Sequence, residues 1–300
     1  MIEEIVKKLE IANKSYRIGE PIMSDVDYDQ LVETLCSYDP CNKFFDKVGF
    51  KIIDENRKTK LDIIMASMNK AKTMFDISDW CRLRRISKNE IVVITPKFDG
   101  LSLCVNEYNN KATTRGDGEY GQRSDEHYKL IQNHLSLPDT PFLYTYGEVI
   151  MSKQVFNDKY SKWNGNGDFS NPRNLVAGLI NSSDVKESLK DCIYIKYGAI
   201  PNDKHSFINK SDILKILNDG QEIKVDYHEC KINELTEELL ISLFKNWSID
   251  YEIDGLIIEV NDINLQYSLG RETSTNNPLF SIAFKHDSFE QKVQTTILEI

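Results

Sequence analysis

The 300-residue sequence lacks the short motifs of several common metal, membrane and nucleotide sites. Its six cysteines are scattered and form no Cys-x-x-Cys pair, so a zinc site of the usual spacing is not predicted. No apolar run approaches the roughly 20 residues that a transmembrane helix needs, and the charged N-terminus is no signal peptide. P-loop, G-x-G-x-x-G, G-x-S-x-G and H-E-x-x-H motifs are also missing. We therefore expect an intracellular protein with reduced thiols that does not enter a membrane.

Basic charge is scarce as well. The chain has 37 Lys and Arg residues against 47 Asp and Glu residues, which gives a formal net charge of −10. A protein that binds nucleic acid tightly by itself usually carries a basic surface. Either nucleic acid is not the partner, or the basic surface is local, or other domains supply the binding. The hydrophobic content of 40% is enough for a sizeable core in two domains, or in one large domain with an appendage.

Two helices are predicted at the N-terminus. Apolar residues recur at helical spacing from Ile2 to Ala12, and Gly19 and Pro21 interrupt the pattern. A second helix is expected to start at Ser24 or Asp25 with the turn DVDYD. Its three carboxylates suit the positive end of a helix dipole. Alternatively, they line a polar pocket for a cationic ligand, with Tyr28 as a flat face.

The segment IVVITPKFDG, residues 91–100, predicts a buried strand that ends near one lysine. Asp99 lies on the same side as Lys97 if the chain stays extended, and Gly100 permits a close backbone approach. A lysine held at a strand end suits covalent catalysis, because its amine can act as a nucleophile. The alternative is an ordinary strand that ends in a solvated lysine and an Asp-Gly turn.

The rest of the chain predicts further strands and helices. Helices are expected at residues 75–85, after residue 169 and over much of 205–248, where one strand is expected near Ile223–His228 and no chemistry is evident. Strands are expected at 101–105, 142–149 and 193–199, and Lys285 ends a last one. The segment 254–260 is expected to be a short buried strand that follows an Asp-Gly turn at Asp254. Each polar residue in these elements has an ordinary explanation as a turn, edge or packing residue: Ser67, Arg115, Glu148, Tyr197 and Lys285.

Taken in order, however, these segments form a pattern. Six motifs resemble the successive nucleotidyltransferase motifs of NAD-dependent DNA ligases: KFDG (97–100), RGDG (115–118), GEV (147–149), FSNPRN (169–174), DGLII (254–258) and IAFK (282–285). The DVDYD turn resembles the nicotinamide-mononucleotide-binding module of that family. The resemblance runs from about residue 5 to residue 290. Each motif is weak alone, but seven in the correct order are very specific.

The resemblance implies a role for each matching residue. Lys97 would attack the α-phosphorus of NAD, release nicotinamide mononucleotide and keep AMP as a phosphoramidate. Asp99 and Glu148 would bind the ribose and help place the metal or the lysine. The remaining contacts to the adenylate would come from residues matching the family motifs: Ser67, Met68, Arg115, Tyr197 and Lys285.

The resemblance also implies ligands and partners. Asp25, Tyr28 and Asp29 would bind the nicotinamide half of NAD, and Mg²⁺ would shield the pyrophosphate. Nicked duplex DNA would be the partner of a longer protein, and we expect a monomer. The compartment would be the cytoplasm of a bacterium, or a replication site in the host cell if the source is viral.

Three positions depart from the family pattern. Thr95 stands where the family usually has a glutamate that contacts adenine. Glu259 stands where it usually has a lysine at the α-phosphate, so we expect Glu259→Lys to speed the reaction. Ser15-Tyr16 replaces a Tyr-His pair, and Tyr16 is expected to stack in place of the histidine.

These observations together predict an α+β protein. A small helical module would cover residues 1–64, and a nucleotidyltransferase domain of antiparallel sheets flanked by helices would cover 65–300. The chain stops where an oligonucleotide-binding domain should begin, so we expect an adenylation fragment or a very short homologue that seals nicked DNA poorly by itself. Two alternatives remain open. One is a non-catalytic NAD-binding module with the same fold. The other is a nucleotidyltransferase that uses ATP or GTP, such as an RNA ligase or capping enzyme.

Overall fold

The computed structural model describes residues 2–17, 22–23, 25–39, 42, 44, 55–132, 140–162, 165, 167 and 169–289. The chain divides into two compact units. The first unit comprises Met1–Met65, Asp99–Ser206 and Leu217–Lys224, and the second comprises Ala66–Phe98, Phe207–Ile216 and Val225–Ile300. The predicted division into residues 1–64 and 65–300 stays a prediction.

The predicted N-terminal helices are present in the first unit. Helix α1 (Ile2–Arg17) packs on helix α2 (Asp25–Tyr38) through a small apolar core of Ile5, Leu9 and Leu35. The region 1–64, predicted as a helical module, also includes the short strand β1 (Lys58–Lys60). This strand pairs antiparallel with β6 (Tyr120–Gln122). Three residues are too few to show a sequence periodicity.

A four-stranded antiparallel sheet forms the centre of the first unit. Its strand order is β5 (Lys111–Thr114), β4 (Leu101–Asn106), β7 (Phe142–Ile150) and β8 (Ile193–Pro201). Its core takes side chains from the sheet and from helix α6 (Pro172–Asn181), among them Leu103, Val149 and Leu179. Helices α4 (Asp125–Tyr128) and α5 (Lys153–Lys159) belong to the same unit. The strands expected at 101–105, 142–149 and 193–199 are present as β4, β7 and β8.

A five-stranded sheet forms the centre of the second unit. Its order is β2 (Lys70–Ala71), β11 (Ser281–Phe284), β10 (Ile253–Val260), β3 (Ile91–Phe98) and β9 (His228–Lys231). Every pairing is antiparallel except that of β2 with β11. One face of β3 and β10 enters the core against helices α3 (Met74–Arg84) and α8 (Glu237–Trp247).

The other face of this sheet carries the polar residues. Side chains alternate along a strand, and directly paired residues share a face. Thr95 pairs with Ile257, Lys97 with Gly255, and Glu259 with both Val93 and Ser281. We call this side, with Thr95, Lys97, Glu259 and Ser281, the Lys97 face. The second unit also holds helix α9 (Ile263–Leu269), and helix α7 (Lys210–Asp219) starts in it.

Two local predictions were wrong. The strand expected near Ile223–His228 is β9, and it spans His228–Lys231, because its position is set by pairing with Ile91–Ile94 of β3. Asp254 was expected in an Asp-Gly turn, yet it lies inside β10, where the register with β3 shifts between Ile253 and Gly255. Such a bulge changes the direction of a side chain without ending the strand.

The fold class is as predicted, since helices combine with mainly antiparallel sheets. Among the described residues, none of the helices is both long and apolar enough to span a bilayer.

Candidate active site

Lys97 is the seventh residue of β3 and meets its counterion across the sheet. Its Nζ lies 3.0 Å from Oδ2 and 2.9 Å from Oδ1 of Asp254. Asp254 reaches this position from the bulge in β10, directly before Gly255, which pairs with Lys97. The lysine side chain is 31% exposed, so its amine is held by an ion pair yet remains accessible.

Lys285 shares the same carboxylate. Strand β11 ends at Phe284, and the next residue places its Nζ 2.8 Å from Oδ2 of Asp254. Burial raises the pKa of the Asp254 carboxyl, but the two ammonium groups outweigh burial, and the net effect holds the pKa below its usual range. Two cations around one carboxylate leave a net positive charge, which suits a bound phosphate.

Gly255 makes this arrangement possible. A Cβ at Gly255 would lie 2.6 Å from the carbonyl oxygen of Phe284 and 3.1 Å from Cγ of Lys285. Any side chain at this position would therefore push β11 and the Lys285 stem away from Asp254.

Glu259 lies farther along the Lys97 face. It pairs with Val93, four residues before Lys97 on β3, which corresponds to roughly 13 Å of strand. Its Oε2 is 3.2 Å from Nζ of Lys210, in the first turn of α7, and its Oε1 accepts a 3.0 Å hydrogen bond from Gln266. The sequence suggested an uncompensated charge reversal at residue 259. Lys210 instead supplies a positive charge beside it, and Thr95, also buried, lies on the same face.

Glu148 is the buried acidic residue of the first unit. It accepts hydrogen bonds from the hydroxyls of Ser102 (2.8 Å) and Tyr197 (3.2 Å) at the same oxygen, Oε2. Burial of the Tyr197 hydroxyl, reinforced by the Glu148 carboxylate, raises the pKa of Tyr197 well above its usual range, so this tyrosine stays a neutral donor. Glu148 is thus not a solvated edge residue.

Asp99 comes just before β4, and Arg115 comes just after β5, the strand that pairs with β4. The guanidinium of Arg173, in the first turn of α6, donates to the Asp99 carboxylate. Arg115 is exposed and opens a turn in which Gly116 and Gly118 have positive φ angles. The Arg115 backbone N–H donates to the carbonyl of Ser102, whose hydroxyl binds Glu148. Ser102 therefore contacts both the backbone of Arg115 and the side chain of Glu148.

Ser67, Met68 and Tyr28 were also predicted site residues, but among the described residues they make no hydrogen bond or ion pair to Lys97. Ser67 is exposed and Met68 half-buried, both in the connection before β2. Tyr28 packs against the core of α1 and α2. The side chains of Tyr16, Asp25 and Asp29 lie outside the described residues.

Comparison with known proteins decides the family. A family model described as the NAD-dependent DNA ligase adenylation domain matches residues 42–289. The chain belongs to this family. The resemblance inferred from the motifs is thereby confirmed, and the adenylation domain is a nucleotidyltransferase, as expected.

Curated proteins named DNA ligase are similar along the whole chain. One from Clostridioides difficile is 30% identical over 325 residues, covering 99% of this chain and 47% of that protein. One from Acanthamoeba polyphaga mimivirus is 33% identical over 299 residues, covering 95% of this chain and 43% of that protein. The chain thus spans about half the length of the curated relatives it matches. A solved RNA ligase of Naegleria gruberi with PPi has a TM-score of 0.40 at 14% identity, over 81% of this chain and 60% of that one.

Sequence reasoning missed two residues of the site. Asp254 was assigned to a turn, and Lys210 fell in a region where no chemistry was evident. Both hold charges against residues that had been singled out, Lys97, Lys285 and Glu259. The available signal was indirect: a charged side chain within a buried strand needs a partner of opposite charge.

Proposed function

We propose that this chain transfers AMP from NAD to Nζ of Lys97, the first step of DNA ligation. The observation that carries the proposal is the group formed by Lys97, Asp254 and Lys285 on one sheet face, in a chain of the adenylation-domain family. The accessible amine is a nucleophile, and the adjacent ammonium of Lys285 attracts the phosphate.

The proposed step forms one bond and breaks one. The unprotonated amine of Lys97 attacks the α-phosphorus, and the bond from that phosphorus to the bridging oxygen of the pyrophosphate breaks. Nicotinamide mononucleotide leaves with that oxygen. The nitrogen gives one proton to solvent before the attack and another after the P–N bond has formed. Asp254 orients the amine, and Lys285 balances the charge that grows on the phosphoryl oxygens.

Residues of the first unit are proposed to bind the remainder of the adenylate. Glu148 is held by hydrogen bonds from Ser102 and Tyr197, which suits a carboxylate that accepts hydrogen bonds from ribose hydroxyls. Asp99 is oriented by Arg173 for a similar contact. Arg115 is exposed, so its guanidinium is accessible to a phosphate.

These residues would supply only part of the coordination of the implied Mg²⁺. Among the described residues, groups of three or more His, Cys, Asp or Glu side chains that could hold a metal are absent. Mg²⁺ commonly binds one or two carboxylates together with substrate phosphates. Asp99 and Glu148 are suitable carboxylates, and a bound Mg²⁺ would shield the pyrophosphate charge.

The other proposals rest on the family. Asp25, Tyr28, Asp29 and Tyr16 would bind the nicotinamide half, and Ser67, Met68 and Thr95 the adenosine. A nick in duplex DNA would be the final acceptor in a longer protein, and the chain would act as a monomer. With a net charge of −10, the chain by itself should bind and seal nicked DNA poorly.

Covalent labelling tests the proposal. The chain is incubated with Mg²⁺ and NAD labelled in its adenylate, and separately with labelled ATP and GTP. We expect an acid-labile covalent label from NAD that Lys97→Ala abolishes and that Lys88→Ala, at an exposed lysine, leaves intact. The proposal is wrong if no donor labels the chain, which would favour a binding module. Label from ATP or GTP alone would instead identify a different nucleotidyltransferase.

A further inference from the structure

Strand β8 contains a β-bulge at Tyr197. Its pairing with β7 shifts between Tyr146 and Gly147, and Tyr197 is the extra residue on β8. A bulge leaves such a residue unpaired in the ladder and changes the direction of its side chain. The Tyr197 hydroxyl accordingly lies 3.2 Å from Oε2 of Glu148. The position of this tyrosine therefore depends on the residues that hold the bulge.

Gln221 binds the strand directly before the bulge. Its Oε1 accepts a 2.9 Å hydrogen bond from the backbone N–H of Lys196, and its Nε2 donates to the carbonyl oxygen of the same residue at 3.2 Å. Because β8 is the last strand of its sheet, this amide takes the place of a neighbouring strand at Lys196. Gln221 is 7% exposed and Lys196 is 2% exposed, and backbone groups buried in this way need hydrogen-bond partners.

Both partners of this contact are themselves fixed. Gln221 follows the end of α7, and its backbone N–H donates to the carbonyl of Asn218 at 3.4 Å. The side chain of Lys196 is buried, with its Nζ 3.3 Å from Oε1 of the buried Glu107. An amide group suits the position of Gln221, because its oxygen accepts a hydrogen bond while its nitrogen donates one. The residue before the bulge is thus held through its backbone and through its side chain.

The ring of Tyr197 is held by Tyr146. The two rings meet edge to face, with their centroids 5.9 Å apart and their planes at 79°. Gly198 leaves room for this contact, because a Cβ at Gly198 would lie 2.2 Å from the Tyr146 ring. The ring contact and the hydrogen bond to Glu148 therefore place Tyr197 in one orientation, provided that the bulge stays where it is.

Building on the proposed function, we propose that Gln221 is a positioning residue for adenylate binding. It holds the bulge in β8 and thereby keeps the Tyr197 hydroxyl on Glu148, the carboxylate proposed to accept hydrogen bonds from the ribose. Gln221 is buried against the backbone of Lys196, so it acts through Tyr197 and does not touch the nucleotide. Its loss should weaken nucleotide binding and leave the chemistry at Lys97 intact.

The test separates binding from chemistry in the whole chain. Gln221→Met keeps the length of the side chain but removes its amide. We expect the dissociation constant for AMP and the KM for NAD each to rise about tenfold, as for the loss of a hydrogen bond to a charged group. The rate of covalent labelling at saturating NAD should stay close to that of the wild type. Tyr197→Phe, which removes only the hydroxyl, should weaken AMP binding to a similar extent.

A double variant shows whether Gln221 acts through Tyr197. Gln221→Met combined with Tyr197→Phe should bind AMP no more weakly than either single variant, because both changes break the same contact with Glu148. Additive losses of AMP affinity would overturn the inference. If Gln221→Met does not fold, Gln221→Glu replaces it in both experiments, since a carboxylate still accepts from the N–H of Lys196.

Gln132→Met is the matched control. Nε2 of Gln132 donates to the carbonyl of Lys190 at 2.6 Å, shortly before β8, so this change also removes an amide-to-backbone hydrogen bond in the same unit. It should leave AMP affinity unchanged. A merely structural role for Gln221 would lower the melting temperature of Gln221→Met without changing its AMP affinity, and the inference would then be wrong although the proposed transfer stands. If the wild type gives no label but Gln221→Met still weakens AMP binding, the proposed transfer fails and the inference stands. If the wild type neither labels nor binds AMP, both fail.

Discussion

Asp254 lies 3.0 Å from the amine of Lys97 although 157 positions separate the two residues in the sequence. The same carboxylate oxygen lies 2.8 Å from the amine of Lys285. One side chain thus fixes the proposed nucleophile and the proposed phosphate-binding cation at the same time. The two cations would repel each other without it.

Removing the negative charge of Asp254 should slow the transfer step more than it destabilises the fold. We expect Asp254→Asn to lower the initial rate of labelling from NAD by about 10- to 100-fold, as for the loss of a charge-assisted hydrogen bond. The measurement is single-turnover labelling at saturating NAD. Asp262→Asn is the control, because Asp262 caps α9 in the same unit without contacting Lys97. Equal losses in the two variants would argue against a specific role for Asp254.

The lowered pKa of Asp254 predicts a dependence of stability on pH. Because this pKa is lower in the folded chain than in the unfolded chain, the ion pairs stabilise the fold above about pH 4. That stabilisation is lost as the pH falls from about 4 through the lowered pKa. We therefore expect the difference in unfolding free energy between wild type and Asp254→Asn to shrink in this range. Urea denaturation in steps from pH 6 to about pH 3 measures it, and a constant difference would contradict the prediction.

The ion pair of Lys210 and Glu259 reverses one expectation drawn from the sequence. The family pattern favours a lysine at residue 259, but a lysine there would place two cations together, since Nζ of Lys210 lies 3.2 Å from Oε2 of Glu259. Breaking a buried pair in this way costs about 3–5 kcal/mol. We expect Glu259→Lys and Lys210→Glu each to lower the unfolding free energy by an amount of this order, and Glu259→Lys to slow labelling.

The double variant tests the pairing itself. Combining Glu259→Lys with Lys210→Glu restores opposite charges, so part of the lost stability should return. The four proteins form a double-mutant cycle measured by urea denaturation. Additive losses would show that the two side chains are not coupled.

Local sequence pattern was sufficient for most elements. The apolar runs 91–94 and 256–258 predicted β3 and β10, and Val92, Ile94, Leu256 and Ile258 do enter the core. The order of the motifs also identified the family, whereas the role that it implies for Lys97 stays a prediction. Apolar runs and motifs each lie within a short segment, so they can be recognised from the local sequence.

The missed residues depend on pairings between distant segments. Asp254 reaches Lys97 only through the bulge in β10, and an Asp-Gly pair before an apolar run is also typical of a turn. Lys210 reaches Glu259 only because α7 begins beside the end of β10, where Asn261 binds the backbone of Lys210 and Ser211. Neither pairing has a signature in the local sequence, so the tertiary structure was needed to find them.

Gly100 provides a test of how closely the strands must approach near Glu148. A Cβ at this residue would lie 2.1 Å from the carbonyl oxygen of Val149 and 3.0 Å from Cγ of Glu148. Gly100→Ala must therefore separate β4 from β7 or displace Glu148, which costs about 1–3 kcal/mol of unfolding free energy. The rate of NAD labelling should fall as well.

Gly178→Ala, in helix α6, is the matched control. Its Cβ would lie 3.9 Å from the nearest atom, on Phe169, so it should be neutral or stabilising by up to about 1 kcal/mol. Urea denaturation and NAD labelling of both variants measure the two effects, and equal stability of the variants would show that β4 and β7 tolerate the added methyl group.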